Sequence, residues 1–129
     1  MTKQSASLES ARKTLRTESD GLRLLEESLG ADFEKAIELI GESQGRLIVT
    51  GMGKSGHIAK KITATLASTG TPAYYVHPGE ASHGDLGMIM EGDVVLGLSW
   101  SGETPELSSL LGYVKRFDIP LVAMTSKQS

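Results

Sequence analysis

Two loops in this chain combine glycine, hydroxyl and charged side chains in a way that suits anion binding. Thr50-Gly51-Met52-Gly53-Lys54-Ser55-Gly56 follows the apolar run Leu47-Ile48-Val49, and Ser99-Trp100-Ser101-Gly102-Glu103-Thr104 follows Val94-Val95-Leu96-Gly97-Leu98. Small residues between a strand and a helix leave backbone N–H groups aimed at one spot, and the helix dipole adds positive potential there. Lys54 brings a full charge to the first loop. Ser or Thr followed by Glu is also an ordinary way to start a helix. Two such loops at one sheet edge nevertheless predict a single phosphate-bearing ligand, held by hydroxyls and N–H groups without a metal.

A third loop, from Val76 to Asp85, carries His77 and His83 together with Glu80 and Asp85. Neutral imidazole can shuttle protons, orient a hydroxyl or bind a metal, and spacing does not choose among these roles. Glu103 and Glu106 fall in the first turn of an expected helix, where carboxylates serve either as dipole partners or as acid–base groups. Tyr74, Tyr75 and Trp100 are too few and scattered to form a stacking platform.

Two familiar nucleotide motifs fail here. Gly51-x-Gly53-x-x-Gly56 matches the dinucleotide fingerprint in spacing, but the second strand should then end in an acidic residue, and it ends in Tyr75-Val76-His77. Gly53-Lys54-Ser55 invites a P-loop reading, which needs glycine at position 48; Ile48 stands there.

The elements that must carry these loops can be read from periodicity. Leu8, Leu15, Leu22 and Leu29 recur every seven residues on one helical stripe, with Gly21 as a point of weakness. Gly30 is a natural stop, and Asp32 is expected to cap a second helix that buries Phe33, Ile37 and Ile40. The stripe is expected to pack on the rest of the chain or also to dock on another subunit. Beyond residue 44, short apolar strands near 46–50, 73–76, 93–98 and 120–124 alternate with helices near 55–69 and 104–116. That alternation predicts an α/β fold in three αβα layers with a mainly parallel sheet. The expected organisation is an N-terminal helical segment, 1–44, and a ligand-binding domain, 45–129.

Composition narrows the function. A chain of 129 residues is one domain's worth, and its net charge of −3 with no basic stripe argues against nucleic acid. The first 44 residues include no basic recognition helix. Absence of cysteine excludes disulfides, thiolate zinc sites and cysteine nucleophiles. The polar start and the lack of a run of about 18 apolar residues predict a cytoplasmic protein with no membrane span.

The blocks Val49-Thr50-Gly51-Met52-Gly53-Lys54-Ser55-Gly56, Ser68-Thr69-Gly70-Thr71-Pro72, the run from His77 to Gly87, and Leu98-Ser99-Trp100-Ser101-Gly102-Glu103-Thr104 resemble the D-arabinose 5-phosphate isomerases. These are proteins of the sugar isomerase (SIS) type with a flavodoxin-like sheet, and they begin the route to Kdo, a lipopolysaccharide sugar. The resemblance implies exchange of D-ribulose 5-phosphate and D-arabinose 5-phosphate through an enediolate, in a homotetramer, with no required cofactor. It implies catalytic roles for Lys54 and Glu106. It implies sugar-phosphate contacts from Ser55, Gly70, Thr71, His83, Ser99, Ser101 and Thr104, and a zinc-binding position at His77. Trp100 stands where members of the family vary. Members of the family continue past the point where this chain ends, with further sheet and usually a CBS pair, so weak or no turnover is expected of the 129 residues alone. A sugar-phosphate-binding module without catalysis is the alternative.

Overall fold

The computed structural model describes residues 2–81 and 84–126. Contacts divide the chain into two compact units, Met1–Lys35 and Ala36–Ser129. This division falls nine residues before the expected boundary at 44 and leaves Ile40 with the second unit, where it packs against the core.

In the first unit, α1 runs over Lys3–Ser28 and is started by Thr2, whose Oγ1 accepts from the Ser5 N–H at 3.2 Å. Gly21 does not break it. The helix-forming run Leu22-Arg23-Leu24-Leu25 absorbs the cost of about 1 kcal/mol that one glycine imposes. Leu8, Leu15, Leu22 and Leu29 are all exposed. The second helix, α2, spans Ala31–Gly41 and begins at the Gly30 carbonyl, which accepts from the Phe33 and Glu34 N–H groups. Asp32 therefore lies inside the first turn as a dipole partner rather than as its cap. Phe33 and Ile37 are exposed, contrary to expectation, and Ile40 alone of the three is partly buried.

The second unit holds the sheet. Strands β1 (Leu47–Gly51), β2 (Ala73–Val76), β3 (Val94–Leu98) and β4 (Leu121–Met124) pair in the order β2-β1-β3-β4, all parallel. Helices α3 (Gly53–Ser68) and α5 (Ser108–Arg116) cover opposite faces. Strand alternation sorts the core. Ile48, Val76 and Val95 meet Leu110 and Val114 of α5 on one face. Leu47, Val49, Val94 and Leu96 meet Ala59, Ile62 and Leu66 of α3 on the other. The three-layer αβα expectation holds.

Two short elements occupy what the sequence suggests is loop: α4 (Pro78–Ala81) and a 3₁₀ turn over Asp85–Met88. A second 3₁₀ turn, Pro105–Leu107, leads into α5.

The amino ends of β1 and β3 are fastened by a buried carboxylate. Asp93 is 2% exposed; its Oδ1 accepts from the Arg46 N–H at 2.7 Å, and its Oδ2 accepts from the Met90 N–H at 2.9 Å and the Arg46 guanidinium at 3.3 Å. Burial pushes this carboxyl up. The backbone donors of Arg46 and Met90 and the guanidinium outweigh burial and hold it below the usual carboxylate range.

Candidate functional site

The strand order reverses direction at β1 and β3, since β2 lies outside β1 and β4 outside β3. Ligands in open parallel sheets bind at such a switch point, beyond the carboxyl ends of the strands. The β1–α3 loop and the loop after β3 both open there, as the sequence suggests.

Glycines let the first loop come close. A Cβ on Gly56 would lie 2.7 Å from the Gly51 carbonyl oxygen and 3.0 Å from the Tyr75 hydroxyl, so α3 rests on β1 only because residue 56 has no side chain. Gly53 takes φ +57° at the start of α3. The Tyr75 hydroxyl donates to the Gly51 carbonyl at 2.7 Å. Burial, and then the nearby Glu80 carboxylate, push that phenol upward, so it remains a donor. Thr50, fully buried, donates through Oγ1 to the Val76 carbonyl at 2.6 Å and ties β1 to β2 just below the loop. The spacing that resembles a dinucleotide fingerprint is thus explained by close packing of helix on strand.

The second loop holds its own shape. Ser99 Oγ accepts from the Gly102 N–H at 3.0 Å and shares a 2.7 Å hydrogen bond with Thr104 Oγ1. Ser101 Oγ accepts from the Glu103 N–H at 3.0 Å. Gly102 adopts φ +73°, which closes the turn. The end of β4 secures the loop from the side. The Ser99 N–H donates to the Met124 carbonyl at 3.1 Å, and the Trp100 carbonyl accepts from the Ser126 N–H at 3.1 Å and from Thr125 Oγ1 at 3.2 Å.

Between these loops lies a cavity of about 440 Å³, lined in part by Lys54, Ser55, Ser99 and Trp100. That volume falls in the ordinary range for small-molecule sites. The Lys54 ammonium and the orphan N–H groups of the first turn of α3 supply positive potential. Apolar side chains complete the wall: Ile58, Leu98 and Met124. Met124, Thr125 and Ser126 also line it, and the sequence reading passed over them. Met124 ends β4 and the other two follow it, so the rule that singled out the other loops points to them as well.

The remaining site candidates are distributed differently. Ser101 and Thr104 shape the second loop and do not line the Lys54 cavity. Glu106 is exposed on the turn Pro105–Leu107 and also stands outside that wall. Gly70 and Thr71 lie between the end of α3 and the start of β2, at the amino edge of the sheet. There they line a separate cavity of about 240 Å³ with Ile40, Ser43 and Pro72. Within one chain they do not meet Lys54. His83 lies outside the described residues.

His77 starts α4. Its Nδ1 accepts from the Gly79 N–H at 3.0 Å, and its carbonyl accepts from the Glu80 and Ala81 N–H groups at 3.1 and 2.9 Å. A Cβ on residue 79 would come within 3.0 Å of the imidazole Cε1, so Gly79 makes room for the ring. That hydrogen bond occupies the Nδ1 lone pair. Among the described residues, no three His, Cys, Asp or Glu side chains gather at one point. The His77 side chain caps α4.

Comparison with known proteins agrees with this architecture. Residues 40–129 match the SIS domain family. The chain is 55% identical over 118 residues to the arabinose 5-phosphate isomerase KdsD of Pseudomonas aeruginosa, covering 92% of this chain and 36% of that protein. It is 51% identical over 122 residues to the arabinose 5-phosphate isomerase GutQ of Escherichia coli K12, covering 95% and 38%. The chain thus spans little more than a third of these relatives' length. A structure from E. coli CFT073, solved in complex with arabinose 5-phosphate, superposes with a TM-score of 0.89 at 36% identity, over 98% of this chain and 67% of that one. On the sequence match and the shared architecture together, the chain belongs to the SIS domain family.

Proposed function

We propose that this chain forms the sugar-phosphate site of an aldose–ketose isomerase that interconverts D-ribulose 5-phosphate and D-arabinose 5-phosphate. The observation that carries the reading is that Lys54, Ser55 and Ser99 line one cavity at the switch point of the sheet. The names of the relatives, KdsD and GutQ, supply the substrate. In the forward direction a base removes a proton from C1 of the ketose, giving a 1,2-enediolate with its negative charge on O2. Proton exchange between the oxygens and protonation of C2 then give the aldose. Lys54 stabilises the oxyanion by charge, and Ser55, Ser99 and the first N–H groups of α3 hold the phosphate. Glu106 is assigned the proton transfer at carbon; since it stands outside the wall, the reacting end of the sugar must project toward it. The exchange moves only protons and calls for no nucleotide cofactor.

In the same reading the protein is a cytoplasmic homo-oligomer, a tetramer by resemblance, serving Kdo and lipopolysaccharide synthesis. Gly70 and Thr71 would contact a sugar bound at Lys54 only from a second copy of the chain. Among the described residues no helix is long and apolar enough to cross a membrane. The position of Glu106 favours one second reading, in which the 129 residues bind the sugar phosphate without turning it over.

Calorimetry with arabinose 5-phosphate, paired with NMR detection of its formation from ribulose 5-phosphate, tests both. Binding with turnover supports the isomerase, and binding alone supports the second reading. Failure to bind either pentose phosphate overturns the site.

A further inference from the structure

Trp100 is 81% exposed, the most exposed large apolar side chain among the described residues. A lone exposed apolar residue needs no explanation. This one is different because of its place. It lines the same cavity as Lys54 and Ser99, beside Ile58 at 56% exposure and Met124 at 54%. Its backbone is pinned: the Trp100 carbonyl accepts from the Ser126 N–H, the Thr125 hydroxyl and the Ser126 hydroxyl, so the residue is held at the rim. The cavity therefore has two chemistries, a cationic and hydroxyl-rich part and an apolar wall. A bare phosphate satisfies only the first. A sugar phosphate also presents C–H groups between its hydroxyls, and a rigid indole gives such a surface a large contact at small entropy cost.

We propose that Trp100 distinguishes a sugar phosphate from free phosphate at this site, its indole covering the carbon face of the bound pentose. The inference rests on the sugar-phosphate reading above and adds to it a residue that sets specificity. It is tested by calorimetry on the whole chain with arabinose 5-phosphate and with inorganic phosphate, comparing the parent, Trp100→Ala and Trp100→Phe. Trp100→Ala should weaken pentose phosphate binding by about tenfold while leaving phosphate within about twofold, and Trp100→Phe should recover most of the loss. Trp100 is the single tryptophan of the chain, so its emission reports directly. It should shift on addition of arabinose 5-phosphate and not of phosphate. Equal loss for both ligands, no loss for either, or emission that follows protein dilution rather than ligand overturns the role of Trp100 alone. A parent chain that binds no pentose phosphate removes the sugar-phosphate reading and this inference with it.

Discussion

Replacing Gly56 by alanine tests the packing that brings Lys54 to the site. In an exposed helix the change would stabilise by about 1 kcal/mol through helix propensity. Here the new methyl would sit 2.7 Å from the Gly51 carbonyl oxygen and 3.0 Å from the Tyr75 hydroxyl. Backbone on that side cannot rotate away, so α3 must lift from β1. Overpacking of this kind costs about 1–3 kcal/mol. The same methyl disturbs the Tyr75–Gly51 hydrogen bond, worth about 1 kcal/mol, which cancels the propensity gain. A net loss of about 1–3 kcal/mol is expected by urea denaturation. Lys54 and Ser55 sit on the turn that moves, so arabinose 5-phosphate affinity should fall as well. A variant more stable than the parent, with unchanged affinity, would refute the close-packing account of these glycines.

Three further expectations can be checked directly. Lys54→Ala should reduce turnover more than it reduces pentose phosphate affinity; equal losses would make Lys54 a binding residue only. Asp93 has a lowered carboxyl pKa in the folded state, so its stabilisation is complete above the unfolded value of about 3.9 and is lost as pH falls through the folded value. Asp93→Asn should therefore flatten the acid limb of the stability curve below about pH 4 and cost about 1–3 kcal/mol at neutral pH, while a limb unchanged in shape would count against the assignment. A chelator should leave sugar-phosphate affinity untouched, and His77→Ala should cost about 1 kcal/mol as a lost helix cap; affinity lost to the chelator and restored by zinc would contradict that role.

The sheet was legible because its strands are continuous apolar runs bounded by glycine and polar residues, a pattern with few alternatives in a βα chain. Residues at the carboxyl ends of β1 and β3 could be brought together from topology alone, and they do share a cavity. The same topology, applied with equal care, separates Gly70 and Thr71 from them. A segment linking the end of a helix to the start of the next parallel strand must lie at the amino edge, whereas resemblance groups it with the site. Helix α4 was hidden because Pro78-Gly79 reads as a turn, and because its cap is an imidazole nitrogen rather than the usual hydroxyl or carboxylate. Gly21 departs from expectation because a cost of about 1 kcal/mol yields to the helix-forming residues that follow it, and Asp32 because α2 begins one residue before it, at Ala31.

The Asp93–Arg46 fastening at the foot of β1 and β3 has a consequence for how this protein can vary. It fixes the register of the two central strands about 16 Å from the Lys54 cavity, at the far end of five-residue strands. Foundation and workplace are thus at opposite poles of one sheet. Changes in the upper loops can retune what is bound while the fold stays intact, whereas damage at the foot loosens every loop together and offers selection no new specificity in return.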